Sequence, residues 1–462
     1  MALDHINMTV DALRGLLGDR LSTGQSVLDI HSHDEAYASA HVPDAVAFPQ
    51  NADEVSAIVT ICAQHQCPII PYGVGTSLEG HIVPAAGGIT IDTSQMNAVI
   101  SINPDDMDAV VESGVTRTQL NEELKSAGLM FTVDPGADAT MGGMAATRAS
   151  GTNTVRYGTI RENVLSMDVV LPSGEQITVG SRARKSASGY DLKNLFIGSE
   201  GTLGIITKLT VKLHGIPEAI SAASCVFEDI DDAVQAVITA IQSGIPMARI
   251  ELLDDMQMRG MNIYNPGFNA PEKPHLFLEF HGSQTSIEEQ IDMFRIISAD
   301  HGGSDFLWAK TTEDRNRLWA ARHSAYYAGR ALRPGASSLV TDCCVPLSAL
   351  APSIAAAREL VVESGLMAPM VGHVGDGNFH LLILVDPDNA DEWQRAKTLS
   401  SKLNHLAISF GGTITGEHGV GSGKREYMRA EHGGAYDVMQ QIKSTIDPLN
   451  IMNPGKIFMP TE

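Results

Sequence analysis

Two histidines stand seven residues apart in the stretch GHVGDGNFH, residues 372–380. An Asp-Gly pair favours a two-residue β-hairpin turn, because both turn positions need a positive φ. With Asp376 and Gly377 at the tip, His373 would lie directly opposite His380. Opposed residues on one face have Cβ atoms about 4.5–5.5 Å apart, so the two imidazoles could share one metal ion. The alternative is two histidines hydrogen-bonded to the backbone, and this stretch alone does not decide between them.

A second kind of chemistry is indicated by glycine-rich loops. Residues 71–81 (PYGVGTSLEGH) follow a predicted strand, and Gly73 and Gly75 would let backbone N–H groups approach an anion closely. The dinucleotide fingerprint is incomplete, because position 78 is leucine, and the Walker A pattern is absent. Two further loops, 134–158 and 198–206, are also rich in Gly, Ser and Thr. Each alone could be a tight turn, but together they predict a long anionic ligand laid against backbone.

Composition narrows the class of protein. The 462 residues include 55 acidic and 32 basic ones, for a formal charge of −23, which argues against nucleic acid or an anionic membrane as the main partner. The five cysteines are odd in number and contain no C-x-x-C pair, so we expect no disulfide framework and a reducing compartment. The first 20 residues lack an apolar signal region, and no stretch approaches 18 uninterrupted apolar residues. The sequence thus predicts a soluble, cytoplasmic protein without a membrane span.

The elements that must position these residues fall into two groups. After a helical lead-in over residues 1–45, strands are predicted at 67–71, 89–92, 109–112, 166–171 and 205–213, with helices at 52–65 and 117–127. From 218 onward we predict strand 222–227, helix 230–242, strands 249–253 and 276–280, and helix 287–300. That βαββαβ-like order suggests a ferredoxin-like domain. Helices at 313–332 and 392–410 follow, and a tail at 449–459 is predicted as loop and strand.

The motifs resemble a known family over residues 40–459. The loops PYGVGTSLEGH, GGMAATRASGTNTVRYGTIRENVL and GSEGTLGI look like the FAD-binding domain of the vanillyl-alcohol oxidase / p-cresol methylhydroxylase superfamily. GHVGDGNFH, TGEHGVGSGK and NPGKIF are similar to the FAD-linked D-2-hydroxy-acid dehydrogenases. That group includes cytochrome-type D-lactate dehydrogenase, the glycolate oxidase FAD subunit and D-2-hydroxyglutarate dehydrogenase.

The resemblance implies an α+β fold. A p-cresol methylhydroxylase-type FAD-binding domain (46–217) would precede a ferredoxin-like α+β substrate and metal-binding cap domain with a helical C-terminal part (218–447). A tail (448–462) would return to the FAD domain.

The resemblance also implies the residues that contact FAD. Attachment is expected to be non-covalent, although His81 is the nearest candidate for a covalent link. The implied FAD contacts are Pro71, Tyr72, Gly73, Val74, Gly75, Thr76, Ser77, Pro135, Gly136, Thr140, Gly142, Gly143, Ala149, Ser150, Gly151, Arg156, Tyr157, Gly158, Glu200, Gly201, Gly204, Ile205, Ile206 and Asn453.

In the same family, one divalent metal is held by residues that match His373, His380 and Glu417. Two histidines and one carboxylate leave open positions on the ion, which is typical of a catalytic site. Zinc is the first expectation, with manganese or iron as alternatives. His418, next to Glu417, would then serve as the catalytic base, and a solvated Glu-His pair in a loop is the alternative.

The resemblance assigns Arg322 to the substrate carboxylate, which an arginine can bind through two parallel hydrogen bonds. Two departures argue against a second substrate carboxylate. Residues 334–338 (PGASS) lack a lysine that some relatives carry. Leu382 stands at a position where hydroxyglutarate-type enzymes share an asparagine. Arg148 stands where relatives usually have a small or neutral residue, and could reach the flavin or point into solvent.

The predicted reaction is FAD-dependent, metal-assisted oxidation of D-lactate or a similar small 2-hydroxy acid to the 2-oxo acid. Electrons would pass to a cytochrome, a quinone or an electron-transfer flavoprotein, and a homodimer is left open. A glycolate oxidase subunit or a D-2-hydroxyglutarate dehydrogenase is the alternative. Two rivals from other classes are a colourless metal hydrolase and a non-redox transferase of the FAD superfamily, which would not need the metal triad.

Overall fold

The structure is a computed structural model that describes residues 2–35, 41–309 and 311–460. Its helices are α1 (Ala2–Leu17), α2 (Gln25–Ile30), α3 (Ala52–Gln64), α4 (Arg117–Leu124), α5 (Met141–Thr147), α6 (Thr154–Tyr157), α7 (Ile160–Asn163), α8 (Leu192–Phe196), α9 (Ile230–Gln242), α10 (Asp255–Tyr264), α11 (Gln284–Asp300), α12 (Thr312–His323), α13 (Ala325–Ala331), α14 (Leu347–Ser364), α15 (Ala390–Ser409), α16 (Met428–His432) and α17 (Gly434–Ile446). In the described ranges, no helix combines the length and apolarity needed to cross a bilayer.

The strands alternate with these helices along the chain. They are β1 (Leu21–Ser22), β2 (Ala45–Ala47), β3 (Ile69–Tyr72), β4 (Ile89–Asp92), β5 (Val99–Asn103), β6 (Asp108–Glu112), β7 (Leu129–Met130), β8 (Val164–Val170), β9 (Gln176–Gly180), β10 (Ile205–Lys212), β11 (His214–Gly215), β12 (Ala219–Val226), β13 (Met247–Leu253), β14 (His275–Gly282), β15 (Ser304–Ala309), β16 (Ser337–Val340), β17 (Cys343–Cys344), β18 (Met370–His373) and β19 (Asn378–Val385).

The chain forms two compact units. The first comprises Met1–Ser150, Gly158–Ile216 and Glu417–Glu462, and the second comprises Gly151–Tyr157 and Pro217–Gly416. The first unit contains a four-stranded sheet in the order β1-β2-β4-β3, a five-stranded antiparallel sheet in the order β5-β6-β10-β8-β9, and the pair β11-β7. Strands β2, β4 and β3 run parallel, and α3 packs its apolar face into the core of this sheet.

The second unit is built on one antiparallel sheet in the order β15-β12-β14-β13-β18-β19-β16. Its first four strands arise from the succession β12-α9-β13-β14-α11-β15, and they lie in the order fourth, first, third, second, which is the predicted ferredoxin-like arrangement. Helix α9 forms as predicted because Asp229 caps its first turn and apolar residues recur on one face. The predicted α+β class is confirmed.

Three local predictions differ from the structure. Residues 313–332 form two helices, α12 and α13, because Ser324 between them leaves the helical ψ at 3°. In the described tail, Met452 makes an isolated parallel bridge to Ile69 in place of a strand. The tail cannot continue as a strand because Asn453 has a φ of +41° and Pro454 has no N–H to donate.

The third difference concerns the histidine hairpin. His373 lies opposite Asn378, and His380 lies opposite Val371, so the two histidines are diagonal neighbours and not a direct pair. The connection is a four-residue 374–377 loop, because only Gly377 of the Asp-Gly pair has a positive φ, whereas a two-residue turn needs two such residues. Gly377 is required there, since a Cβ would lie 2.1 Å from the carbonyl oxygen of Val345.

Candidate active site

The central sheet of the second unit has one apolar and one partly polar face. On strands β13, β14, β18 and β19, alternate residues such as Ile250, Leu278 and Phe379 enter the core that includes α9, α11 and α14. Because successive side chains in a strand point to opposite faces, the residues between them face away from that core. They include a group of buried or part-buried polar side chains: Arg249, Glu251, Glu279, His281, His373, Asn378 and His380.

His373 and His380 meet on this polar face. Their ring centroids are 5.4 Å apart, with the rings at 78° to each other. The Nδ1–H of His373 donates to Oε1 of Glu251 at 2.7 Å, and the Nδ1–H of His380 donates to the carbonyl oxygen of Thr341 at 3.0 Å. In a neutral imidazole, a protonated Nδ1 puts the lone pair on Nε2, and such second partners commonly orient metal-ligating histidines.

The third predicted metal ligand, Glu417, directly follows Gly416, the last residue of the second unit. Ligand atoms of His373, His380 and Glu417 all lie within 4.8 Å of one another. Ligand atoms of Asp342, His380 and His418 likewise all lie within 4.8 Å of one another. Two imidazoles and a carboxylate suit zinc, manganese or iron, so the predicted donor set fits one divalent ion.

Arg322 joins this cluster through the carboxylate of Glu251. Its Nε and Nη2 donate to Oε2 of Glu251 at 2.8 and 2.5 Å. Glu251 is fully buried, and although burial opposes its charged form, His373 and Arg322 hold the pKa of this carboxyl below its usual range. The predicted substrate arginine and a predicted metal ligand therefore share one buried anion.

A second buried carboxylate, that of Asp342, lies near His380. Asp342 accepts a hydrogen bond from Nδ2 of Asn378 at 2.8 Å and from the hydroxyl of Thr415 at 2.7 Å. Its Oδ1 is 3.6 Å from Nδ1 of His380. Asp342 therefore ties β19 to the segment that leads directly into Glu417.

The first unit brings the three glycine-rich loops together. A Cβ on Gly73 would lie 2.5 Å from Oγ1 of Thr140, and a Cβ on Gly201 would lie 2.6 Å from Pro71. The third pair of loops is joined because the backbone N–H of Glu200 donates to the carbonyl oxygen of Ala146 at 2.9 Å. These contacts are close enough to demand glycine, which explains its density in the sequence.

The loop after β3 also has the donors that a diphosphate needs. Among the residues that the structure describes, the backbone N–H groups of 73–76 donate to no protein acceptor. Gly75 has a φ of +74°, and Val74 is exposed. A run of N–H groups at such a bend forms an anion-binding concavity, so the loop fits the phosphates of FAD.

Glu200, predicted as an FAD contact, is engaged by the protein itself. Its carboxylate accepts from the backbone N–H groups of Val420 and Gly421 at 2.7 and 2.8 Å, and lies 3.3 Å from Nε2 of His81. Burial disfavours the charged imidazole, but the charge of Glu200 raises the pKa of His81 above its usual value. The candidate for covalent attachment therefore has a buried ionic partner.

Other predicted FAD contacts also have structural partners. Nδ2 of Asn453 donates to the carbonyl oxygens of His81 and Glu200 at 2.9 and 2.7 Å. Gly151, Arg156 and Tyr157 lie in the second unit, where the Tyr157 hydroxyl is 2.7 Å from Nδ1 of His281 and Arg156 donates to the carbonyl oxygen of Pro246.

The remaining predicted contacts belong to the first unit. They are Pro71, Tyr72, Gly73, Val74, Gly75, Thr76, Ser77, Pro135, Gly136, Thr140, Gly142, Gly143, Ala149, Ser150, Gly158, Gly201, Gly204, Ile205 and Ile206. Arg148 is exposed, but its Nη2 donates to the carbonyl oxygen of Ile197 at 3.2 Å.

Sequence reasoning missed two carboxylates of this site, Glu251 and Asp342. The available signal was an acidic residue inside the apolar strand sequence RIELL, and an aspartate just before the Cys-Cys pair. In a chain with 55 acidic residues, neither feature distinguishes a buried carboxylate from a solvated one.

Two family models together match most of the chain. Residues 43–180 match the family described as FAD binding domain, and residues 216–457 match the family of FAD linked oxidases, C-terminal domain. The chain is 47% identical to a probable mitochondrial D-lactate dehydrogenase of Danio rerio, over 99% of this chain and 93% of the relative. It is 43% identical to the mitochondrial D-lactate dehydrogenase [cytochrome] of Arabidopsis thaliana, over 98% of this chain and 80% of the relative.

Among solved structures, p-cresol methylhydroxylase with substrate bound matches with a TM-score of 0.81 and 19% identity. The match covers 99% of this chain and 97% of that chain. At this level of identity the likeness shows the fold alone, and it confirms the predicted type of FAD-binding fold.

Proposed function

Because this chain belongs to the family of FAD-linked oxidases, we propose that it oxidises a small D-2-hydroxy acid, D-lactate or one of similar size, to the 2-oxo acid. The observation that supports this most strongly is the chain of contacts Arg322–Glu251–His373. It joins a cation suited to a carboxylate with an imidazole suited to a metal, in one buried cluster. A 2-hydroxy acid carries a carboxylate and a hydroxyl on adjacent carbons, which is the pair of groups that such a cluster can bind.

Arg322 would bind the substrate carboxylate. Glu251 engages the Nε/Nη2 edge of the guanidinium, and the Nη1/Nη2 edge can also form two parallel hydrogen bonds to a carboxylate. Because Glu251 is buried and tied to His373, the guanidinium is held in one orientation before substrate arrives.

His373, His380 and Glu417 would hold the divalent metal, and the 71–77 loop together with the other glycine-rich loops would hold FAD non-covalently. When bound, the metal would lower the pKa of the substrate hydroxyl, and FAD would accept the hydride from the substrate's α-carbon. His418 would take the hydroxyl proton as general base, which its place beside Glu417 allows.

The size of the substrate is proposed from Leu382. This residue lies on the same face of β19 as His380, two positions further on, and it is 7% exposed in a cluster with Ala336 and Leu384. An apolar side chain there offers nothing to a second carboxylate, so the proposal favours lactate over a dicarboxylic 2-hydroxy acid.

The electrons must leave the reduced flavin. The name of the Arabidopsis relative includes a cytochrome, so we propose a cytochrome as the acceptor, with a quinone or an electron-transfer flavoprotein as alternatives. Both relatives are named mitochondrial, whereas the cytoplasmic location and a homodimer stay predictions, which cell fractionation and light scattering would test.

The test is an anaerobic visible spectrum of the purified protein before and after excess D-lactate, with L-lactate as the control. We expect a flavin band near ~450 nm that bleaches with the D-isomer only, and acid precipitation should release the yellow colour because the FAD is not covalently attached. If D-lactate fails and glycolate or D-2-hydroxyglutarate bleaches the band, the substrate proposal is wrong but the reaction class stands. A flavin that no 2-hydroxy acid reduces would favour the non-redox transferase, and a protein that does not bind FAD would favour the metal hydrolase.

A further inference from the structure

Glu251 takes part in no chemical step of the proposed reaction, yet its two oxygens serve two different functional groups. Oε1 accepts from Nδ1 of His373 at 2.7 Å, and Oε2 accepts from Nε and Nη2 of Arg322. We propose that Glu251 is a positioning residue that sets both the metal-binding form of His373 and the orientation of Arg322. This inference rests on the proposed function, because it deepens the account of the same site.

The imidazole of His373 is the first group that Glu251 positions. A neutral imidazole carries its proton on one ring nitrogen and its lone pair on the other. A carboxylate can only accept, so Glu251 requires the proton of His373 on Nδ1 and leaves the lone pair on Nε2. A histidine binds a metal through the nitrogen with the lone pair, and removing such a partner typically costs 10–100-fold in metal affinity.

The guanidinium of Arg322 is the second group that Glu251 positions. Arg322 lies near the end of α12, while Glu251 lies in the middle of β13, a central strand of the sheet. Glu251 is fully buried and flanked in sequence by Ile250 and Leu252, which are both in the core of the second unit. Because Glu251 is buried in a central strand, its carboxylate is a rigid partner for the longer and more flexible side chain of Arg322.

An isosteric substitution tests these two roles, because it keeps the size of the side chain and changes which of its atoms can accept a hydrogen bond. In Glu251→Gln, only one of the two polar atoms can accept. If the amide oxygen faces Arg322, the NH2 group faces His373 and favours the tautomer with the proton on Nε2, which cannot bind the metal there. If the amide oxygen faces His373, the NH2 group opposes the N–H groups of Arg322 and displaces the guanidinium.

The experiment uses the full-length flavoprotein, stripped of metal and titrated with zinc against a chromophoric chelator. For Glu251→Gln we expect zinc affinity to fall by about 10–100-fold, and KM for D-lactate to rise by about tenfold, with the flavin content unchanged. The matched control is Glu392→Gln, which removes a carboxylate from another arginine pair of the second unit, with Arg333. The control should keep both the zinc affinity and KM of the wild type.

If Glu251→Gln does not fold, Glu251→Asp keeps the charge but withdraws the carboxylate by one methylene, so both zinc affinity and KM should change in the same directions by less. The proposal would be overturned if the variant that folds has both the zinc affinity and the KM of the wild type. A change in only one of these two quantities would overturn the joint role. The zinc titration needs no turnover. A wild-type protein whose flavin D-lactate does not reduce would therefore contradict the proposed function, while the zinc comparison would still decide the part of this inference that concerns His373.

Discussion

The carboxylate of Glu200 holds the backbone of Val420, 220 residues further along the chain, through a 2.7 Å hydrogen bond from the Val420 N–H. Its other oxygen accepts from Gly421 at 2.8 Å. The carbonyl oxygen of Glu79 accepts from the next two N–H groups, those of Ser422 and Gly423. The segment that directly follows Glu417 and His418 is therefore fastened to the rest of the first unit through its backbone N–H groups.

Replacing Glu200 with glutamine should loosen this segment, because an amide can accept at only one of the two positions. We expect kcat with D-lactate to fall by about tenfold or more, since small displacements of catalytic groups are costly, while the flavin remains bound. Stopped-flow flavin reduction and the flavin absorbance measure the two quantities. Glu54→Gln, which removes the carboxylate that pairs with Arg20 in the same unit, is the control and should keep its kcat. A Glu200→Gln enzyme with the kcat of the wild type would show that the segment needs no such fastening.

His418→Gln tests the proposed base. Loss of a general base typically costs 10²–10⁴-fold, so the rate of flavin reduction should fall by about that factor. The contents of metal and FAD should remain those of the wild type, because His418 is not one of the three proposed ligands. His405→Gln, at an exposed position of α15, is the control. A reduction rate within a few-fold of the wild type would remove His418 from the reaction.

Removing the metal should abolish turnover without removing the flavin. Because the 71–77 loop and the histidine pair belong to different units, treatment with a strong chelator should leave the oxidised flavin spectrum unchanged. D-lactate should then no longer bleach the band, and adding zinc or manganese should restore bleaching. The control is chelator saturated with zinc beforehand. Bleaching at an undiminished rate in a protein shown to be metal-free by elemental analysis would contradict the metal-assisted mechanism.

Leu382→Asn introduces the amide that hydroxyglutarate-type relatives are expected to carry. In this chain Leu382 is buried against Ala336 and Leu384, so the amide would lose its hydrogen bonds to water. We expect the free energy of unfolding to fall by about 1–3 kcal/mol, measured by urea denaturation. Leu382→Met keeps the volume and apolarity and should cost less than about 1.5 kcal/mol. Equal unfolding midpoints for the two variants would indicate that this position has polar partners.

His214 should make the stability of the first unit depend on pH. Burial, followed by the charges of Lys212 and Arg184, lowers the pKa of His214 to about 4, from 6.5. Because the folded state holds the neutral form, its stabilising effect is complete above about pH 6.5 and is lost as the pH falls towards 4. The imidazole is part-exposed, so after allowing for solvent screening we expect a loss of about 1–2 kcal/mol.

The measurement compares the free energy of unfolding of the wild type with that of His214→Gln at about pH 7.5 and about pH 5. Glutamine does not titrate, and its amide can still donate to Oδ1 of Asn163, which the imidazole Nε2 approaches at 3.0 Å. The wild type should lose stability relative to the variant on acidification. A difference between the two proteins that is the same at both pH values would contradict the lowered pKa.

Several parts of this protein could be predicted from the sequence because they depend on local patterns. Helix α9 and strand β4 have the predicted bounds, since apolar periodicity and a capping residue act within one or two turns. The glycine-rich loops and the Glu417-His418 pair were also visible, because these residue types have few other reasons to cluster.

The tertiary structure decided what depends on register and on distant pairing. His373 lies opposite Asn378 because the connection between their strands is a four-residue loop. The Asp-Gly pair supplies only two of those four residues. Glu251 binds His373 because β13 lies beside β18 in the sheet, and it binds Arg322 because α12 places this arginine on the polar face. The order of strands in a sheet is not encoded in any one segment of the chain. The sequence by itself determined which residues could perform the chemistry. Only the packing of elements far apart in the chain decided that one buried carboxylate would orient two of them, because burial and partners are properties of the folded chain.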